Sequence, residues 1–136
     1  MVMDTDAIVA AMRSRGGASA GLLFAARAGR ATLLATSALF IEYEAVCGRV
    51  EHRLAAGFGD GDLKVFLDAL VDLVEPVQPW FKLRPQLPDP DDELVLEAAV
   101  NGRADAIATF NRRDFAPAAR FGVEVLLPAE ALRRLA

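Results

Sequence analysis

Thiol and imidazole side chains are scarce in this chain, which has one cysteine, Cys47, and one histidine, His52, among 136 residues. A single cysteine excludes an internal disulfide framework and is compatible with a reducing compartment. A single histidine rules out a histidine-rich zinc site and weakens any Ser-His-Asp catalytic arrangement. Both residues fall in a predicted helix whose packing explains them, so we assign neither a function.

Long apolar runs are also missing from the sequence. The most apolar window, residues 31–41, is interrupted by hydroxyl side chains and is followed by Glu42. A membrane-spanning helix needs about 20 apolar residues. The first residues carry neither the basic segment nor the apolar stretch of a secretory signal, since Asp4 comes at once. We therefore expect a cytoplasmic protein with no membrane partner.

Positive charge is in deficit, because 15 Lys and Arg residues face 19 Asp and Glu residues for a formal net charge of −4. A broad basic face for gripping duplex nucleic acid needs clustered Lys and Arg, so that mode of binding is not expected. The hydrophobic fraction is 54%. This length and composition suit one compact domain, which we expect to span residues 1–136.

Short apolar segments alternate with helical patterns along the chain. The predicted strands are residues 2–3, 32–35, 75–77, 106–109 and 123–127, and the predicted helices are residues 18–28, 37–53, 63–73, 89–101, 112–120 and 128–135. We expect loops at residues 55–61 and 79–88, helix caps at Ser37 and at Asp60 or Asp62, and Pro128 in the first turn of the last helix. Strands alternating with helices indicate an α/β fold in which a parallel sheet has helices on both faces. Ligands of such sheets bind beyond the carboxyl ends of the strands.

Two carboxylates, Asp4 and Asp6, follow the first predicted strand directly. A turn after a strand often contains Asp, which is the alternative to a functional role. Two neighbouring acids at the edge of an α/β sheet repel each other unless a partner compensates them, however. This position therefore favours a site.

Three more carboxylates, Asp89, Asp91 and Asp92, lie at the start of the predicted helix 89–101. Capping and the helix dipole favour acids there, yet one cap and one further acid would suffice. We consider Asp92 the strongest functional candidate of the three.

The predicted strand 106–109 is followed by Asn111 and Asp114. A capping interaction between these two residues is the alternative interpretation. Their position at the carboxyl end of a strand favours a role in the site instead.

Glu42 occupies a different face of its predicted helix from Glu44, since the two differ by about 200° around the axis. Its neighbours on that face are small and apolar, and an unpaired carboxylate among such neighbours is expensive to bury. Glu42 should therefore serve a ligand, or else form an ordinary salt bridge with Arg49.

Four acids from distant segments thus converge at one edge of the predicted sheet: Asp4, Glu42, Asp92 and Asp114. Clustered carboxylates raise one another's pKa unless a cation neutralises them, and oxygen ligands favour Mg²⁺ or Mn²⁺ over zinc. The residues predict metal-assisted hydrolysis of a phosphodiester, with a phosphomonoester as the alternative substrate. Without these four acids the chain has 15 acidic and 15 basic residues, so the excess negative charge can be assigned to this one site.

Three segments, VMDTDAIVAAM, SALFIEYEAVCGRV and PDPDDELVLEAAVNGRADAIATFNRRDF, resemble the PIN domain and, within it, the VapC-type toxins of bacterial toxin–antitoxin pairs. The resemblance runs over residues 1–127. It implies a three-layer α/β/α sandwich with a mainly parallel sheet, and a Mg²⁺- or Mn²⁺-dependent ribonuclease. It also implies a homodimer and a small antitoxin protein that covers the acidic pocket.

The resemblance assigns an acidic quartet to Asp4, Glu42, Asp92 and Asp114, which would bind the metal and carry the catalysis. Asn111 matches the polar residue that accompanies the last acid, whereas Asp6 departs from the family, which more often has Asn there. Asp91 is the alternative to Asp92 if the register shifts by one residue. The arginines that could contact RNA phosphates, or else lie on a solvated surface, are Arg112 and Arg113 beside the site and Arg13 and Arg15 in a predicted loop.

Two other functions remain open at this point. The Asp-Thr-Asp of residues 4–6 also resembles the start of haloacid dehalogenase-type phosphatases, but these need a lysine beside the site, and the only lysines are Lys64 and Lys82. A PIN-like fold could also act as a non-catalytic binding module. Trp80 could stack on a base, although packing onto the core is the better explanation.

Overall fold

The computed structural model describes residues 1–83 and 85–135. The strands are β1 (Val2–Met3), β2 (Leu33–Ala35), β3 (Val74–Pro76), β4 (Ala106–Ala108) and β5 (Glu124–Leu126). The α-helices are α1 (Thr5–Arg13), α2 (Ala18–Arg27), α3 (Ser37–Cys47), α4 (Val50–Ala56), α5 (Asp62–Leu73), α6 (Pro90–Asn101) and α7 (Pro128–Arg134), and a 3₁₀ helix covers Arg112–Phe121. Residues Arg84, within the predicted loop 79–88, and Ala136, at the end of the predicted domain, lie outside the described part.

The strands form two parallel ladders, one in the order β1-β4-β5 and the other of β2 and β3. The backbone N–H of Leu34 donates to the carbonyl oxygen of Met1 at 2.9 Å, so β2 lies beside β1 and the ladders continue each other. Helix α6 packs on β1, β2 and β4, while α1, α2 and α7 contact one another in a chain. The predicted α/β fold with a mainly parallel sheet is confirmed, and it is consistent with the α/β/α sandwich.

The strands in the middle of the sheet are buried on both faces. This is why their sequences are apolar without interruption. Val2, Ile107 and Ala108 have no exposed surface. Tyr43 of α3 is also buried, and its hydroxyl donates to the carbonyl oxygen of Met3. Helix α3 is therefore tied to the end of β1, directly beside Asp4.

The helix predicted for residues 37–53 is wrong in its length, because it is two helices. Helix α3 ends at its C-cap Gly48, and Arg49 has an extended backbone as the residue before α4. A Cβ at position 48 would lie 3.2 Å from the carbonyl oxygen of Glu44, which makes glycine the suitable residue at this junction. The expected cap at Ser37 is also wrong, since the Thr36 hydroxyl accepts from the backbone N–H of Leu39 at 3.1 Å.

The chain between Asp4 and Gly16 differs from the prediction as well. Helix α1 was not among the predicted helices, and Arg13, which we expected in a loop, is its last residue, so only Arg15 lies in the following turn. Helix α5 begins after Gly61, which has a left-handed backbone, and not after an aspartate cap. Asp62 instead accepts from the backbone N–H of Gly59.

Candidate active site

Asp4 is held at the carboxyl end of β1 by hydrogen bonds from two directions. Its Oδ1 accepts from the backbone N–H of Thr5 at 2.7 Å, so that it caps α1, and its Oδ2 accepts from the hydroxyl of Thr109 at 2.7 Å. Thr109 follows β4, the strand that pairs with β1. Parallel pairing thus brings together residues 105 positions apart. The carboxylate is 5% exposed, and burial raises its pKa.

Asp6 lies next to Asp4 and binds the segment that follows β4. Its Oδ2 accepts from the backbone N–H of Phe110 at 3.2 Å and from the side-chain amide of Asn111 at 3.1 Å. The alternative interpretation of Asn111 as a side-chain cap is not supported, because its side chain makes no capping bond and donates to Asp6 instead. Burial, and then the neighbouring charge of Asp4, raise the pKa of Asp6 to about 7.

Asp92 enters the same site from the first turn of α6. Asp89 caps this helix by accepting from the backbone N–H of Asp91 at 2.9 Å, and Pro90 takes the first helical position, as the sequence predicts. Burial is the largest cause that raises the pKa of Asp92 to about 7, followed by the charges of Asp4, Asp89, Asp114 and Asp91 in that order. Asp92 therefore lies within electrostatic reach of acids from two other parts of the chain, Asp4 and Asp114, as well as of its neighbours at the start of α6.

Glu42 projects from α3 into a cleft that it shares with Asp4, Asp6, Asp91 and Asp92. Its expected alternative, a salt bridge with Arg49, is not formed within the described residues, although both side chains line the cleft. The cleft has a volume of about 630 Å³ and opens to solvent. Three of the four quartet residues thus lie in one cleft.

The fourth quartet residue, Asp114, is not among the cleft-lining residues, and its charge reaches the site through its effect on Asp92. Arg112 is also turned away, because its guanidinium donates to Glu130 of α7 at 3.1 Å. The structure therefore groups Asp4, Asp6, Asp91, Asp92, Glu42 and Asn111 more closely than it groups Asp114 and Arg112 with them.

Two lining residues were missed by the sequence interpretation. His52, which we left without a role, lines the cleft from α4, and Phe110 lines it from the segment between β4 and the 3₁₀ helix. The position of His52 could not be read from the sequence because it depends on the break between α3 and α4. Phe110 could have been found, since an apolar residue interrupts the polar run Thr109–Asn111 at a strand end.

The donor set of the cleft fits a hard divalent cation by its chemistry. Its carboxylates are oxygen ligands, and in the described part of the chain none of them forms an ion pair with Lys or Arg. Burial is the largest cause that raises the pKa of Asp4, Asp6 and Asp92, so the cleft disfavours the charged form of each carboxylate. Over residues 1–83 and 85–135, however, no three Asp, Glu, His or Cys side chains are already drawn together as metal ligands. Binding of a metal ion would therefore require the carboxylate side chains of the cleft to move closer together.

Comparison with known proteins identifies a family for this chain. A family model described as PIN domain matches residues 1–113, so the match contains every cleft-lining acid and stops one residue before Asp114. No curated protein and no solved structure gives a match. PIN domains are generally nucleases and usually use divalent metal ions. Among the described residues, no helix is long and apolar enough to cross a membrane. The chain belongs to the PIN domain family.

Proposed function

We propose that this chain is a Mg²⁺- or Mn²⁺-dependent endoribonuclease that hydrolyses RNA phosphodiester bonds. The observation that carries the proposal is the gathering of Asp4, Asp6, Glu42, Asp91 and Asp92 in one cleft, where none of them forms an ion pair with Lys or Arg in the described part of the chain. A protein keeps such charges together when a cation or a ligand compensates them. Oxygen donors favour Mg²⁺ or Mn²⁺.

The residues that we propose to bind the metal and to act in catalysis are Asp4, Glu42, Asp92 and Asp114. When bound, the divalent ion supplies positive charge that stabilises the charge developing on the attacked phosphate. Asp4 is held rigidly by Thr5 and Thr109 and keeps lone pairs free for a cation. Glu42 lies across the cleft, where it can orient the attacking water and accept its proton.

Secondary roles are proposed for four residues near the quartet. Asp6 and Asn111 bind each other, and Asp6 also fixes the segment after β4 through the backbone of Phe110. Asp91 lines the cleft beside Asp92 and is the alternative ligand from α6. Arg112 would contact RNA only after releasing Glu130, so its part is the weakest of the four.

RNA cleavage with added Mg²⁺ or Mn²⁺ tests the proposal directly. The purified protein is expected to cut RNA, and EDTA is expected to stop it. Asp92→Asn should lower the cleavage rate at least 100-fold, because the loss of a ligand that acts in the transition state removes several kcal/mol of stabilisation. Asp72→Asn is the matched control, since Asp72 is exposed on α5 and outside the cleft. Undiminished cleavage by Asp92→Asn would contradict the site assignment.

The competing phosphomonoesterase has less support from the structure. The cleft lining includes no lysine, and Lys64 is paired with Asp68 on the surface of α5 at 2.7 Å. Turnover of a small phosphomonoester without cleavage of RNA would nevertheless favour that enzyme. Absence of both activities in metal-loaded protein would favour the non-catalytic binding module.

The finer proposal is that the enzyme is the toxin of a toxin–antitoxin pair, a single domain acting in the cytoplasm as a homodimer and inhibited by a small antitoxin protein. PIN nucleases often pair with antitoxins. Helix α4 has no buried residue, and its apolar side chains Val50 and Leu54 are 60% and 74% exposed beside the cleft residue His52. Adjacent exposed apolar residues support association with a protein partner.

Expression in bacteria tests the toxin role. The wild-type chain should arrest growth, and both Asp92→Asn and co-expression of a small protein encoded beside it should restore growth. Sedimentation of the purified chain tests the homodimer, which a monomer at micromolar concentration would contradict.

A further inference from the structure

A large aromatic side chain, Phe110, stands exposed within the acidic cleft. The residue is 52% exposed and lines the same cleft as Asp4 and Asp6. Phe115, five positions later in the 3₁₀ helix, is completely buried. Single exposed apolar residues are common on protein surfaces, so the position of this one, and not its exposure alone, is informative.

The backbone around Phe110 is held on both sides. Its own N–H donates to the carboxylate of Asp6 at 3.2 Å, and the next N–H, of Asn111, donates to the hydroxyl of Thr109 at 2.9 Å. Thr109 is itself buried and bound to Asp4. The backbone that carries the ring is therefore fixed to the same acids that form the candidate site, which places Phe110 at the edge of these acids before a ligand arrives.

Cationic side chains line other parts of the same cleft. Arg13 ends α1, and Arg49 lies between α3 and α4. Within the part of the chain that the structure describes, neither guanidinium forms an ion pair or a hydrogen bond to a side chain. Both are available to an anion. An exposed aromatic ring together with unpaired cations is the combination with which proteins hold single-stranded nucleic acids, through base stacking and phosphate contacts.

We propose that Phe110 is a specificity-determining residue that stacks on an unpaired base of the RNA next to the phosphate at the acids, while Arg13 and Arg49 contact flanking phosphates. A base inside a duplex is covered on both faces by its neighbours and has to be unstacked before Phe110 can reach it. The ring thus selects substrates that are single-stranded at the cleavage position. This inference rests on the proposed ribonuclease function and adds the feature of RNA that the cleft reads.

Binding of RNA to a cleavage-deficient parent, Asp92→Asn, tests the stacking role without loss of the probe. The probes are a fluorescent eight-nucleotide single-stranded RNA and a blunt duplex of the same length, titrated with Mg²⁺ present and followed by anisotropy. Adding Phe110→Ala to the parent should weaken single-strand binding about tenfold, within the range measured for base–aromatic stacking. Adding Phe110→Trp should keep the affinity within about twofold, because the indole ring also stacks.

The matched control is Phe24→Ala on α2, which removes a phenyl ring of similar exposure, 58%, that does not line the cleft. It should leave binding unchanged. Duplex binding should be weaker than single-strand binding and insensitive to Phe110→Ala. Arg13→Gln and Arg49→Gln should weaken binding of the single strand and reduce its dependence on salt. All variants should keep the thermal midpoint of the parent, because the substituted side chains are exposed.

The results separate this inference from the proposed function. If Phe110→Ala binds like its parent, or if Phe24→Ala loses as much, the stacking role is overturned while metal-dependent cleavage by the wild-type chain can still stand. A parent that binds no single-stranded RNA also overturns it, and cleavage by the wild-type chain then decides separately on the ribonuclease. Equal losses with single-stranded and duplex RNA would contradict the selection of an unpaired base.

Discussion

Replacing Asp92 with Asn should make the metal-free protein more stable at neutral pH, although it removes a residue of the candidate site. The carboxylate makes no hydrogen bond or ion pair that Asn would break within the described residues, and it lies among Asp4, Asp89, Asp91 and Asp114, whose charges oppose its own. The amide has nearly the same shape and no charge. The change therefore removes a charge that burial, and then the neighbouring acids, disfavour, and it leaves packing intact.

The size of the effect follows from the raised pKa. A shift from 3.8 to about 7 corresponds to about 4 kcal/mol against the charged form. Asp92 is only partly buried, so screening by solvent reduces this figure to about 1–2 kcal/mol. The dipole of α6 favours the charge by about 0.3–1 kcal/mol in the opposite direction. We expect a net stabilisation of about 1 kcal/mol, or about 3–5 °C in the thermal midpoint.

The direction of the shift in pKa determines how the difference in stability between the two proteins changes with pH. Because the pKa is higher in the folded state, the folded protein binds more protons than the unfolded chain between about pH 4 and pH 7. The stability of the wild-type protein relative to Asp92→Asn therefore falls over that range. The difference in free energy of unfolding between the two proteins should be absent near pH 4 and should reach its full size above pH 7.

Thermal and urea unfolding of both proteins in EDTA at pH 4.5 and pH 8 measure this difference. Asp72→Asn on the exposed surface of α5 is the control for loss of a negative charge outside the cleft. If Asp92→Asn and the wild type have the same free energy of unfolding at pH 8, the argument that burial and the neighbouring acids disfavour the charge of Asp92 is refuted. A stabilisation of the same size at pH 4.5 would refute its assignment to charge.

Three further outcomes are expected. Addition of Mn²⁺ should raise the thermal midpoint of the wild-type protein at pH 8 more than that of Asp92→Asn, because a ligand that binds only the folded state stabilises it; equal shifts in a thermal scan would contradict metal binding at this site. Thr109→Val should lower the free energy of unfolding by about 1–3 kcal/mol, since the buried carboxylate of Asp4 loses its hydroxyl donor, as urea titration can show. Tyr43→Phe should lower the free energy of unfolding by a similar amount, about 1–2 kcal/mol, because it removes the buried hydrogen bond to Met3. A urea midpoint equal to that of the wild type would argue against this bond.

The fold was predictable from the sequence because its central strands are apolar without interruption and some of its helices, such as α6, have clear starts. The run of residues 106–109 and the Asp89–Pro90 helix start are local signals, and both are confirmed. Local signals also predicted that parallel strands would bring their carboxyl ends together. The proximity of Asp4 to Thr109 follows from that pairing.

The errors came from positions where two local tendencies compete. Gly48 ends α3 in a stretch that otherwise favours one long helix, and the break decides where Arg49 and His52 lie. Helix α1 was overlooked because Asp4 and Asp6 suggested a turn, whereas Asp4 both ends a strand and caps a helix. In both places each tendency is visible in the sequence, but the sequence alone does not show which of the two prevails.

The sequence predicted which residues belong to the candidate site better than it predicted which of them form hydrogen bonds with one another. The acids were identifiable from their places after strands and at helix starts, and the structure puts Asp4, Glu42 and Asp92 in one cleft. The pairing of Asn111 with Asp6 was not foreseeable, because a capping role explains Asn111 equally well from sequence alone. The distance of Asp114 from the cleft lining depends on the path of the 3₁₀ helix.

The hydrogen bond between Asp4 and Thr109 also bears on when the site comes into being during synthesis. Asp4 is made 105 residues before Thr109, which follows β4. Until then β1 has no β4 beside it, the Asp4 carboxylate lacks its hydroxyl donor, and Asp6 lacks Phe110 and Asn111. Closing so large a loop is also entropically unfavourable until the strands can pair. A growing or truncated chain that stops short of β4 therefore contains several of the acids but not the arrangement, and any chemistry that the cleft performs has to wait until β4 is made.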